Sequence, residues 1–245
     1  MAQVTGDCKS GGVPKRHQHV PELVVGFDTE TTGLSVTNDR AISYGLCVYE
    51  YGSLAWQEEF FVIPDRPISE GARRVHGLSI EDLHSKRATS LVLSPEAGVA
   101  RAIERLGYFQ DRKAVIIGAN LIHFDLEMLR RSAQSLLGLT LEGPPLDLSL
   151  VRAIDVVEHD LAIEPSRVER PRRGLTQLCA HYGVTAGGHD AVGDARAAVE
   201  VFLAQVVVNR AGQTSFGFGH DESSSPDSRE RGPANSGQTS FSGER

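Results

Sequence analysis

Cysteine, tryptophan and methionine are scarce in this 245-residue chain, and there is no excess of positive charge. The three cysteines, Cys8, Cys47 and Cys179, form no Cys-x-x-Cys pair, which excludes a disulfide framework or a thiolate zinc site. That usage fits a reducing compartment, so the expected location is cytoplasmic. Lys plus Arg number 25 against 32 for Asp plus Glu, a net charge of −7. A broad electrostatic coat for nucleic acid is therefore excluded, and any such partner must be gripped locally. No apolar run approaches the roughly 18 residues of a membrane span, and Met1–His19 has no signal-peptide core.

The 40% of hydrophobic residues is enough for one sizeable core. Residues 1–20 and 209–245 show no hydrophobic period, and the latter stretch is rich in Gly and Ser. Both are expected to be disordered, leaving residues 21–208 as a single domain. Leu23–Asp28 reads as a buried strand and Ala41–Tyr49 alternates with period two. Beyond a Tyr51-Gly52-Ser53 turn, Leu54–Ile63 is extended again, which makes an antiparallel three-strand meander. Pro95–Tyr108, Phe124–Leu137, Leu148–His159, Gly174–Tyr182 and Asp190–Val208 read as helices, with a parallel-type strand at Ala114–Gly118. The fold class is α/β, a mixed sheet flanked by helices.

Asp28 and Glu30 end the first strand, and period-two alternation aims both carboxylates from one face. Two such groups repel and lose hydration near a core strand unless a cation neutralises them. Alone, the pair is equally a solvated strand end. Asp125, at the start of an amphipathic helix, is equally a cap or macrodipole partner, and His189, ahead of the last helix, is equally a surface residue. Together with Asp194, however, the four acids can surround two divalent ions, and an all-oxygen donor set favours Mg²⁺ or Mn²⁺ over zinc. Two ions about 3.5–4 Å apart clamp both oxygens of an in-line phosphoryl displacement. His189, with an ordinary pKa near 6.5, suits the general base that takes a proton from the attacking water.

Phe27-Asp28-Thr29-Glu30-Thr31-Thr32-Gly33, Phe124-Asp125 and His189-x-Ala191-x-x-Asp194 resemble, in order and spacing, the three motifs of the DEDDh 3′→5′ exonucleases. The resemblance covers about Leu23 to Val208. It implies an RNase H-like fold and release of nucleoside 5′-monophosphates from a 3′ end. It also implies metal ligation by Asp28, Glu30, Asp125 and Asp194, catalysis by His189, and substrate contacts at Thr31, Gly33 and His76, the last in Val75-His76-Gly77. One departure is that Asn120 precedes Asp125 by five residues where many relatives have an Asn four before, so no role transfers to it. A cluster at Arg167, Arg170, Arg172 and Arg173 reads as a solvated loop more readily than as a phosphate grip.

Past the last helix, Gln213-Thr214-Ser215-Phe216-Gly217-Phe218 is similar to the sliding-clamp-binding peptide of the proofreading (epsilon) subunits of bacterial DNA polymerase III. Gln213, Phe216 and Phe218 would be the contacts. A partial copy recurs at Gln238-Thr239-Ser240-Phe241. A flexible tether of this kind raises local concentration at a primer terminus, which suits a net-acidic enzyme with few phosphate contacts. The expected function is a metal-dependent 3′→5′ exodeoxyribonuclease in proofreading or repair, acting on DNA with a single-stranded or frayed 3′ end. The expected partners are a clamp and a replicative polymerase, and no membrane. The alternatives are a 3′→5′ exoribonuclease and a non-catalytic clamp or polymerase adaptor.

Overall fold

The computed structural model describes residues 20–163 and 173–215. The sequence opens on three strands because apolar and β-branched residues alternate between short turns. β1 (Leu23–Thr31), β2 (Ala41–Glu50) and β3 (Ser53–Val62) form the expected antiparallel meander. Its β2–β3 turn places Tyr51 and Gly52 at φ 52° and 81°, the left-handed pair that a tight hairpin requires. β4 (Val92–Leu93) pairs parallel with β3, β5 (Val115–Gly118) parallel with β1, and β8 (Arg152–Asp155) parallel with β5, giving the order β4-β3-β2-β1-β5-β8. A small hairpin, β6 (Glu142–Gly143) with β7 (Leu146–Asp147), stands apart.

Helices cover both faces. On one lie α3 (Pro95–Asp111), N-capped by Ser94 with Pro95 in its first turn, and α4 (Asp125–Ser132), continued by a π-helical turn Ala133–Leu137. Ala102, Ile103 and Leu106 of α3 and Leu126 and Leu129 of α4 pack there on Val25, Phe27, Tyr44, Leu46 and Phe60. On the other face lie α5 (Val156–Ile163), α6 (Leu175–Tyr182) and α7 (Ala191–Ser215), whose Leu178, Ala195, Ala198, Val199 and Phe202 pack on Val24, Cys47 and Ile117. α1 (Glu70–His76) and α2 (Ile80–Lys86) are two short helices capped by Ser69 and Ser79.

Three expectations need correction. Leu148–His159 is not one helix but strand β8 followed by α5: the run Arg152-Ala153-Ile154-Asp155 pairs in register with Val115–Gly118, and that pairing overrides helical period. α1 and α2 were not anticipated. α7 continues past Val208 to Ser215, so the backbone of Gln213 lies in its last turn. Residues 1–19, Arg167, Arg170 and Arg172 of the arginine cluster, and Phe216, Phe218 and Gln238–Phe241 lie outside the described residues.

Candidate active site

Strand alternation divides the side chains of β1 between the two layers. Val24 and Gly26, and with them Asp28 and Glu30, face α7, whereas Val25, Phe27 and Thr29 face α3 and α4. A Cβ on Gly26 would lie 2.4 Å from the Ala195 carbonyl oxygen, and one on Gly45 would lie 2.1 Å from the Ala191 carbonyl carbon. These two glycines let the first turns of α7 rest on the sheet backbone, and that approach delivers Asp194 to the strand end. One carboxylate oxygen from each of Asp28, Glu30 and Asp194 lies within 4.8 Å of the others.

Asp125 arrives from the opposite layer. It is 2% exposed, and Thr29 Oγ1 donates to its Oδ1 at 2.6 Å, so the threonine between the two strand acids locks the third acid beside them. Asp125 is outside the tight group of three but exerts the largest charge effect on Asp28. Among the described residues, the basic side chain set against these four acids is His189, whose Nδ1 stands 3.8 Å from Asp194 Oδ2, an ion pair only when the imidazole is protonated. His189 is held at φ 61° behind Gly187 and Gly188, with its side chain 54% exposed, and Asp190 caps α7 by accepting from the Gly193 N–H at 2.7 Å.

The electrostatics follow from this crowding. Burial, then the charges of Asp125, Asp194 and Glu30, hold Asp28 well above the ordinary carboxylate range. Burial and the neighbouring acids push Glu30 up to about 8. Burial raises Asp125 to about 7 against the Thr29 hydrogen bond, and raises Asp194 against the nearby His189. Carboxylates so arranged either keep their protons or take up a cation. The donor set is all oxygen and converges, so Asp28, Glu30 and Asp194 are the residues that fit a hard divalent ion, with Asp125 adjacent.

Three acids near the cup escaped sequence reasoning. Glu59 shares the face of Asp28 through the cross-strand row Asp28–Gly45–Glu59, accepts from Ser43 Oγ at 2.9 Å, and is pushed up by burial. Counting register outward from the Tyr51-Gly52 turn points to Glu58 instead, because a bulge between Val48 and Tyr49 shifts the pairing by one residue. Asp155, 5% exposed at the end of β8, accepts from the Val157 N–H at 3.0 Å and from the backbone of Asn120, bracing the turn that leads to Asp125. It was hidden by the helical reading of its segment. Asp190 was visible in the third motif but unassigned.

The remaining predicted contacts gather where β1 ends. Thr31 Oγ1 donates to the Gly33 carbonyl at 2.7 Å, and a Cβ on Gly33 would stand 2.6 Å from Asp39 Oδ2. His76, the last residue of α1, touches Thr31. Arg173 is neither solvated nor aimed at the cup: its Nη1 stands 3.2 Å from Oδ1 of the buried Asp160, which also accepts from Tyr182 at 2.8 Å.

A mixed sheet with carboxylates gathered at the end of its central strand defines an RNase H-like nuclease, as the fold expectation had it. The chain belongs to the exonuclease family: the family profile of RNase T type, described as exonuclease, matches residues 25–202. The chain is 26% identical over 208 residues to the DNA polymerase III epsilon subunit of Treponema pallidum, covering 84% of this chain and 86% of that one. It is 29% identical over 185 residues to the PolC-type DNA polymerase III of Caldanaerobacter subterraneus, covering 74% of this chain and 11% of that protein. Among solved structures it superposes on E. coli exonuclease I in complex with a dT13 oligonucleotide, with TM-score 0.60 and 19% identity over 80% of this chain. Exonuclease I from Methylocaldum szegediense gives TM-score 0.59 at 20% identity over 78% of this chain. The chain spans less than half of these exonuclease I chains, 43% and 41%. No helix among the described residues is long and apolar enough to cross a membrane.

Proposed function

We propose that this chain is a metal-dependent 3′→5′ exodeoxyribonuclease that releases nucleoside 5′-monophosphates, in proofreading or repair. The observation that carries the reading is the convergence of Asp28, Glu30 and Asp194 oxygens within 4.8 Å, with Asp125 locked beside them. Asp28, Glu30, Asp125 and Asp194 would hold two Mg²⁺ or Mn²⁺ ions, which supply charge neutralisation and Lewis-acid polarisation at the scissile phosphate. The half-exposed His189 takes the proton of the attacking water and is oriented by Asp194. Thr31 and Gly33 line the path of the terminal nucleotide. The likeness to an epsilon subunit over most of both chains supports DNA as substrate and a polymerase as partner, and the oligonucleotide in the exonuclease I complex supports a single-stranded end.

The test is digestion of 5′-labelled single-stranded DNA and of a matched RNA with Mg²⁺. Mononucleotides released from the unlabelled end of the DNA are the expected result. A ladder shortening from the label overturns the direction, and preference for RNA overturns the replicative role. The peptide Gln213–Phe218 is proposed as the tether to a sliding clamp on the strength of its sequence pattern. Binding of purified bacterial clamp to the full chain, lost on Phe216→Ala with Phe218→Ala, is the corresponding outcome.

A further inference from the structure

The bulge at the end of β1 leaves a carbonyl that the fold satisfies in an unusual way. Glu30 faces Ser43, but the next residue, Thr31, faces Ala41, so the ladder slips just where the strand leaves the sheet. α1 grips this point twice: the Ser69 N–H donates to the Thr32 carbonyl at 2.8 Å, and His76 Nε2 lies 3.2 Å from the Thr31 carbonyl oxygen. On its other side His76 Nδ1 lies 3.0 Å from the Leu78 backbone nitrogen. Gly77, at φ 75°, makes the left-handed turn that swings Leu78 back onto the ring, and a side chain there would meet nothing within 4 Å, so conformation rather than space calls for glycine.

The partners dictate the protonation of the ring. A backbone N–H can only donate, so Nδ1 carries no proton, and a carbonyl can only accept, so Nε2 carries one. Both nitrogens are thereby engaged within the protein. We propose that His76 is a positioning residue of the nuclease site: a neutral imidazole that holds the Thr31 carbonyl, and through it the aim of the adjoining Glu30 carboxylate, rather than hydrogen-bonding the nucleotide. Burial lowers the basicity of this ring, in keeping with the neutral form. The inference rests on the exonuclease reading for its consequence, and on hydrogen-bond geometry alone for its tautomer.

The experiment compares His76→Ala, His76→Asn and His76→Gln in the full chain with Mg²⁺ and a single-stranded DNA. The Gln amide nitrogen reaches toward Thr31 but offers nothing to Leu78, whereas the Asn oxygen can serve Leu78 but cannot reach Thr31. With positioning through Thr31, kcat falls about 10- to 100-fold in the Ala and Asn variants, and KM for DNA stays within about 3-fold. The Gln variant recovers most of kcat. A rise in KM at unchanged kcat, or a Gln variant as weak as Ala, overturns the proposal. Nitrogen-15 spectra of the wild-type ring decide the tautomer even if a variant fails to fold: Nε2–H with bare Nδ1 supports the proposal, and Nδ1–H or imidazolium overturns it. A wild-type chain without nuclease activity sinks the exonuclease reading and leaves the ring assignment to those spectra.

Discussion

Toward α3 and α4 the sheet presents Phe27, Tyr44 and Phe60, with Tyr44 and Phe60 stacked at 4.9 Å between centroids, whereas toward α7 it presents Gly26 and Gly45. The first layer is built of side-chain volume, which can relax when a neighbour shrinks. The second is built of backbone on backbone, and its spacing sets where Asp194 and His189 stand. Cohesion is distributed over the first face, while the geometry of the acid cup hangs on the second.

Asp28→Asn tests the cup itself. Nuclease turnover should fall by at least about 10²–10³-fold, while the melting temperature in EDTA rises because a buried, crowded carboxylate has gone. Loss of activity together with loss of metal-free stability would break the contrast between cohesion and function. Gly45→Ala comes next. Its Cβ meets the Ala191 backbone, so α7 must lift, with a cost of about 3 kcal/mol in chemical denaturation and roughly 10-fold or more in kcat. Thr29→Val keeps the volume but frees Asp125, and kcat should drop about 10-fold, read at saturating Mg²⁺.

The pH response has a definite sign. Glu30 and Asp125 keep protons up to about 8 and about 7 in the folded chain, while the unfolded chain releases them near the ordinary carboxylate values. The folded state therefore binds more protons across that window, and metal-free stability falls as pH rises from about 4.5 to about 8. Calorimetric scans in EDTA should show this fall, with a shallower slope in Glu30→Gln. The smallest effect on activity is expected from Phe60→Leu in the opposite layer. Stability drops by about 1–2 kcal/mol, yet kcat measured well below the melting temperature is unchanged. A large kcat loss there would erase the distinction between the faces.

The meander and four acids with their histidine were readable because they depend on local signals: alternation, a Tyr-Gly turn, and motifs confined to a few residues. What could not be read depends on pairing between distant segments. Thr29 meets Asp125 across 96 residues: alternation turns the middle residue of Asp-Thr-Glu to the other layer, but nothing in the motif announces that Asp125 is its partner there. Arg152–Asp155 became a strand because Val115–Gly118 was available to pair, a choice its own short apolar pattern leaves open. α2 has a single buried side chain, Leu83, and α1 has none, too little apolar periodicity to mark a helix.

The central claim is that the convergent carboxylates form a cation seat, and calorimetric titration with Mn²⁺ in two buffers of different ionisation enthalpy tests it most directly. The account predicts saturable uptake near neutral pH with release of protons into the buffer, and loss of that uptake in Asp28→Asn. Absence of uptake by the wild-type chain, or uptake that Asp28→Asn leaves unaltered, would contradict it.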